Sequence, residues 1–326
     1  MTDMFLDKPI WMWAIFLTIV IVLLVLDLGV LHKKDQEISA KSSLVTYGFY
    51  ILMALGFGGW IWHQLGPEKG MQYLTGYVVE QSLSMDNLFV MAMIFGYFKI
   101  PRKYQHRVLF WGILGVIVLR GIMIGLGAAL IQEFHWVLYI FSAFLIFSGI
   151  KMIAMADKEM DIGHNPMLKF MQKHLRVEDQ LHGDKFFVRQ MDKNIGHTAV
   201  YMTPLMVALI LIEFADVVFA VDSVPAVFAI TTDPYIVYTS NIFAILGLRT
   251  LYFALAAMMD RFAYLKYALS AVLIFIGSKI FIVDFVLGEG KFPPALSLGI
   301  TFAILGGGVA YSLWKTRDGH HHSHGG

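Results

Sequence analysis

Long, nearly unbroken apolar runs make up most of this chain, and polar residues gather in the shorter stretches between them. The first run, from Trp11 to Leu31, is about 21 residues long, enough to cross a bilayer as a helix. Further runs bring the predicted spans to nine, near 11–31, 44–64, 73–98, 108–131, 135–155, 201–230, 236–258, 265–286 and 294–314. The third and sixth are polar in the middle. Such a pattern predicts an all-α, polytopic transmembrane bundle forming a single membrane domain. The first run reads as a span, because its start is mildly acidic and it ends at His32-Lys33-Lys34 without a small-residue cleavage pattern.

Composition strengthens that picture. Only 15% of residues are charged and 58% are hydrophobic, whereas soluble domains carry roughly 25% charge. A net charge of +1 gives no general attraction to nucleic acid, and none is expected as a partner. Cysteine is absent, which excludes disulfides, thiolate metal sites and CxxC redox couples. A bound metal would need oxygen, imidazole or thioether ligands. No nucleophile–His–acid constellation is visible, so no enzyme and no tightly bound cofactor are expected.

Basic residues fall unevenly on the connections. Alternate connections hold 19 Lys and Arg, the opposite set only Lys8, Lys69 and Lys291. The positive-inside bias therefore predicts an outside N-terminus and a cytoplasmic C-terminus. The largest connection, about 156–198, carries seven acidic and seven basic residues and reads as a linker. Within it Asn165-Pro166 marks a helix start, with Met167, Phe170, Met171, His174 and Leu175 as its apolar stripe.

The chain also repeats itself. Tyr139–Lys151 and Tyr267–Lys279 share eight of thirteen residues. One span earlier Arg120 matches Arg249, and one earlier again Glu80-x5-Asp86-Asn87 matches Asp216-x5-Asp222-Ser223. Spans three to five (about 73–155) thus match spans six to eight (about 201–286), and the charge alternation makes the two units inverted. Inverted repeats in transporters place the substrate near the midplane, where the repeats meet.

Six carboxylates lie at membrane depth: Asp27, Glu80, Asp86, Glu213, Asp216 and Asp222. Each costs roughly 2.5–3.5 kcal/mol at a helix centre, so lipid-facing ionised groups are not tenable. Glu80, Ser84 and Asn87 share one helical face, as do Asp216, Ala220 and Ser223. A kink before Pro225 would free carbonyls and swing Asp222 toward Asp216. Such oxygen donors suit Mg²⁺, Ca²⁺ or Mn²⁺. A structural polar cluster is the competing reading. Arg120 and Arg249 either pair with two carboxylates or lock the packing, and both roles stay open. The surplus negative charge leaves room for a divalent cation and for protons as coupling ions. Asp27 is the weakest candidate, six residues from Lys33 and readable as an interfacial acid, and Lys279 is expected to snorkel to the surface.

Other features read as packing or as no site. The 19 Met residues, Met91 and Met93 among them, fill gaps. Gly121-x3-Gly125 permits close helix approach. Gly288-Glu-Gly-Lys291 lacks P-loop spacing. The His-rich tail, 319–326, is either a native metal-gathering segment or an appended tag.

The run Glu80-Gln-Ser-Leu-Ser-Met-Asp-Asn87 resembles the first signature of the TerC family. Phe186–Arg189, Thr203-Pro204-Leu205, Ile212–Ala226 and Leu246–Phe253 resemble its second half, and the Alx-type branch is the nearest in pattern. The resemblance implies a bacterial inner-membrane protein linked to Mn²⁺ export and, by name, tellurium resistance. It also implies that Glu80, Asp86, Glu213, Asp216 and Asp222 serve the metal. The redox label attached to some relatives gains nothing from a cysteine-free chain. Rival expectations are a Ca²⁺ or other cation transporter on the same fold, and a non-transporting scaffold that metallates envelope proteins.

Overall fold

The computed structural model describes residues 4–29, 39–155, 161–191, 196–255, 264–288 and 292–317. The chain is an integral membrane protein of predominantly helical build. Among the described residues, nine helical stretches are long and apolar enough to cross a membrane. Helices prevail because the bilayer core offers no water to backbone N–H and C=O groups, which must bond within each segment.

The spans are α1 (Ile10–Gly29), α2 (Ala40–Leu65), α3 (Pro67–Leu83) with α4 (Met85–Tyr97), α5 (Arg102–Glu133) and α6 (Val137–Ala154). After the short α7 (Pro166–His174) come α8 (Pro204–Ile230), α9 (Pro234–Leu255), α10 (Leu265–Phe285) and α11 (Pro294–Arg317). Pro67, Pro166, Pro204, Pro234 and Pro294 each open a helix, where the missing N–H costs nothing and φ is already helical. Helix α9 is buried almost all round and packs on α2, α3 and α5. Around it, α1, α2, α5, α6 and α11 turn exposed Leu, Ile, Val and Phe outward, the surface expected to meet lipid.

Two departures from the expected helices bear on the site. The third span is broken at Ser84, which separates α3 from α4. The sixth span, by contrast, is one continuous helix through Pro225, and Asp222 accepts from Ser148 rather than closing on Asp216. In the long connection, α7 begins where Asn165 accepts from the Met167 N–H at 2.9 Å. Its buried face is Leu168 and Met171, whereas Phe170 of the expected stripe is exposed. A hairpin of β3 (Phe187–Met191) and β4 (Thr198–Met202) follows, unforeseen in the linker.

Helices α6 and α10, which carry the matched thirteen residues, pack tightly against each other. A Cβ on Gly149 would lie 2.9 Å from the Ser270 carbonyl oxygen and 2.7 Å from Ile274. A Cβ on Gly277 would lie 2.7 Å from the Ser142 carbonyl oxygen and 2.9 Å from Ile146. These contacts are reciprocal between equivalent positions and run antiparallel, the pattern of a local two-fold axis across the pair.

The connections gather on two faces. On one, Asp233 between α8 and α9 accepts from Lys8 at 2.7 Å and pairs with Lys69 at 3.1 Å. Lys8 lies in the N-terminal hairpin of β1 (Met4–Phe5) and β2 (Lys8–Pro9). On the other, Arg107 at the start of α5 pairs with Asp184 of the long connection at 2.5 Å. The basic-residue bias includes Lys33, Lys34, Lys193, Arg261 and Lys291, which lie outside the described residues, as does the 319–326 tail.

Candidate functional site

At the centre of the bundle, Arg120 of α5 is fully buried. Its guanidinium donates to Glu80 Oε1 at 2.5 Å, to Asp216 Oδ1 at 3.0 Å and, through Nε, to Asp216 Oδ2 at 3.3 Å. It also donates to Ser223 Oγ at 3.1 Å and Asn241 Oδ1 at 2.6 Å. A planar fork of N–H donors suits this work, gripping Asp216 through both oxygens while reaching Glu80. The helical spacing explains why the motif residues meet. Ser84 Oγ donates to Glu80 Oε1 at 2.8 Å, and Asn87 Nδ2 to Asp216 Oδ1 at 3.3 Å. The break at Ser84 puts Asp86 and Asn87 in the first turn of α4, behind Met85, where a helix N-terminus favours negative charge. The Asp86 side chain lies outside the described ones.

One arginine against two carboxylates leaves a surplus negative charge when all are ionised. Removing one partner of such a buried group exposes an uncompensated charge at a cost of about 3–5 kcal/mol. Glu80 Oε2 and Asn87 Oδ1 are buried with no hydrogen-bond partner among the described residues. Asn87 lines a cavity of about 20 Å³ together with Ser84, Arg120, Asp222 and Ser223, and with Leu83, Met152 and Phe219. That is room for about one water or a bare cation. Asp222 does not reach Asp216 by a hydrogen bond; its Oδ1 accepts from Ser148 Oγ of α6 at 2.7 Å.

The remaining candidates lie apart. Glu213 faces Gly112 and Gly115 of α5, and neither carboxylate oxygen has a hydrogen-bond partner among the described residues. The second arginine does not repeat the role of the first. Arg249 pairs with Asp27 Oδ2 at 2.5 Å and contacts His106 Nε2 at 2.7 Å. Asp27 is thus no interfacial acid but is fully buried under that arginine. Lys279 does not snorkel: it is buried, 3.5 Å from Ser297 Oγ. Among the described residues no three His, Asp or Glu side chains converge as a ready metal cluster. Asn241, Ser148 and His106 were not singled out in the sequence; Asn241 in the mid-span Thr-Ser-Asn run offered the one polar signal.

A multi-span bundle with an arginine clamped between two acidic helices defines a polytopic membrane protein with a charged centre. The chain belongs to the TerC family: residues 65–320 match the family described as Integral membrane protein TerC family. An uncharacterised membrane protein of Rickettsia bellii is 48% identical, covering 92% of this chain and 96% of that relative. One from Myxococcus xanthus is 44% identical, covering 94% and 93%. The Alx protein of Escherichia coli, named as a proposed membrane-bound redox modulator, is 44% identical, covering 90% and 91%. No solved structure matches the chain.

Proposed function

We propose that the chain exports a hard divalent cation, Mn²⁺ foremost, in exchange for protons, by alternating access around the acidic motifs of α3/α4 and α8. The observation that carries this reading is the small cavity between the Arg120 cluster and Asp222. Its lining offers carboxylate, amide and hydroxyl oxygens from Asp222, Asn87, Ser84 and Ser223, the donor types hard cations take. In this arrangement the Arg120 guanidinium supplies the positive charge that Glu80 and Asp216 require. A transported cation would compete for the same carboxylates, so cation entry and release of Arg120, or protonation of Glu80 or Glu213, are coupled by charge balance. The Asp233 face is then outward and the Arg107 face cytoplasmic, in the inner membrane.

Purified protein in liposomes, with a Mn²⁺ indicator and a pH dye on opposite sides, tests this directly. Mn²⁺ flux with counterflow of protons is expected, and Asp86→Asn and Asp222→Asn should insert normally yet lose it. Wild-type liposomes that move neither Mn²⁺ nor Ca²⁺ would leave the non-transporting scaffold as the better reading.

A further inference from the structure

A second cavity, of about 620 Å³, opens on the Asp233 face between α3, α6, α8, α10 and α11. It shares no lining residue with the small cavity at Arg120. On each of three helices a buried apolar residue separates the two: Val79 between Thr75 and Leu83, Leu145 between Leu138 and Met152, and Ala226 between Ser223 and Ala229.

The wall of this cavity contains Lys279, which is 8% exposed. Its ammonium has the Ser297 hydroxyl at 3.5 Å and the Phe292 ring at 5.9 Å. Among the described residues it has no carboxylate partner. A lysine buried to this degree without a counter-charge is costly, and such charges are normally paired. Hydroxyls of Thr231, Thr232 and Ser297 share the wall, and donors of this kind satisfy an oxyanion, whereas the Thr75 hydroxyl donates to the Met71 carbonyl at 2.8 Å. The carboxylates lie elsewhere: Glu68 and Asp284 are exposed, and Asp284 accepts from Tyr139. The buried charge of the wall is thus cationic, whereas its exposed part carries Glu68 and Asp284 beside His135 and Lys69, the latter paired with Asp233 at 3.1 Å. Beside Asp284 the end of α10 presents exposed Phe285, Val286 and Leu287, and Leu296 of α11 is exposed as well. Aromatic and aliphatic groups beside polar ones are what the membrane interface favours.

We infer that this cavity binds a phosphate ester carrying its own ammonium group, the phosphoethanolamine chemistry of a zwitterionic lipid headgroup. The phosphate sits on Lys279 and the hydroxyls, and the ammonium lies toward Glu68 and Asp284. A free phosphate is far smaller than the cavity.

The test is native mass spectrometry of full-length protein taken from phosphatidylcholine nanodiscs doped with phosphatidylethanolamine or, separately, phosphatidylglycerol. Phosphatidylethanolamine should be retained over phosphatidylglycerol. Lys279→Met should lower retention about tenfold, and Lys279→Arg should restore most of it. Soluble glycerophosphoethanolamine that displaces the lipid would show the headgroup alone to be recognised; failure to displace it would place part of the affinity in the acyl chains, and both support the site. If Lys279→Met does not fold, Ser297→Ala on the native lysine gives the reading, again as reduced retention. Unchanged retention in the variants overturns the inference, as does phosphatidylglycerol bound as well as phosphatidylethanolamine. A wild type that retains no phosphatidylethanolamine overturns it too.

Discussion

Arg120 has five hydrogen-bonding contacts to four side chains drawn from three helices, so its substitution should separate charge from geometry. Arg120→Lys keeps the charge but loses the fork, and one ammonium cannot grip both Asp216 oxygens while reaching Glu80 and Asn241. Arg120→Ala leaves two buried carboxylates and should cost about 3–5 kcal/mol, read as a fall in thermal midpoint in detergent. Arg120→Lys should fall between that variant and wild type; an unaffected midpoint in Arg120→Ala would refute the clamp. Asp222 should respond differently. Its Oδ1 accepts from Ser148, and an asparagine can still accept that bond, so Asp222→Asn should hold its midpoint to within about 1 kcal/mol. At this scale the sequence was readable where helical spacing places residues on one face, as with Glu80, Ser84 and Asn87. It was misleading for Asp27, whose depth was judged from nearby Lys33, whereas its partner Arg249 lies more than 200 residues away along the chain. Asn241 was illegible because one amide in an apolar helix has no spacing to announce it.

The elements followed hydrophobic periodicity closely, and nine spans were countable because lipid permits little else. The exceptions were local choices between competing backbone effects. Pro225 was expected to kink the sixth span and swing Asp222 toward Asp216, yet α8 runs through it with Asp222 on Ser148, as neighbouring helices tolerate a proline inside a transmembrane helix. The interruption of a span's helix near the site falls at Ser84, in the acidic motif. The hairpin after α7 was missed although Asp192, Asn194 and Gly196 between its strands are turn residues, because the polar run around them resembles linker. Helices α6 and α10 give the sharpest test at this scale. Gly149 and Gly277 each face a backbone carbonyl and an isoleucine of the other helix, so a larger side chain must push the pair apart. Gly149→Val and Gly277→Val should each destabilise by about 1–3 kcal/mol, and by similar amounts because their surroundings are equivalent. Thermal midpoints of both variants check this, and tolerance of either valine would refute the close approach.

Across the whole molecule, the ion pairs join connections that the alternation of spans puts on one face, while the inside–outside orientation rests on the basic-residue bias alone. Lys8, Lys69 and Asp233 come from three separate connections, and Arg107 and Asp184 from two others on the opposite face. Charge counting reads topology because each span reverses the chain, but it says nothing of which carboxylates meet inside, and the central clamp depends on that. The Asp233 junction ties the N-terminal hairpin to the starts of α3 and α9 and lies outside the spans, where solvent pH reaches it. Burial alone would raise the Asp233 carboxyl, but the Lys8 hydrogen bond and the ammonium groups of Lys69 and Lys8 outweigh burial and hold it below its ordinary value. A native value below the unfolded one makes the contribution full above the ordinary carboxylate value, about 3.9, and lost as pH falls through the lower native value. Asp233→Asn should therefore lower the thermal midpoint at neutral pH by an amount equivalent to about 2 kcal/mol, the scale of hydrogen bonds to charged groups. Between neutrality and pH 5 the gap between wild type and variant should stay constant, because the group is ionised in both folded and unfolded chains. Below about pH 4 it should narrow as protonation removes the pairing from the wild type. Midpoints of both proteins measured across that range decide the matter, and a gap that is absent at neutral pH or widens on acidification would rule out Asp233 as the tie between these connections.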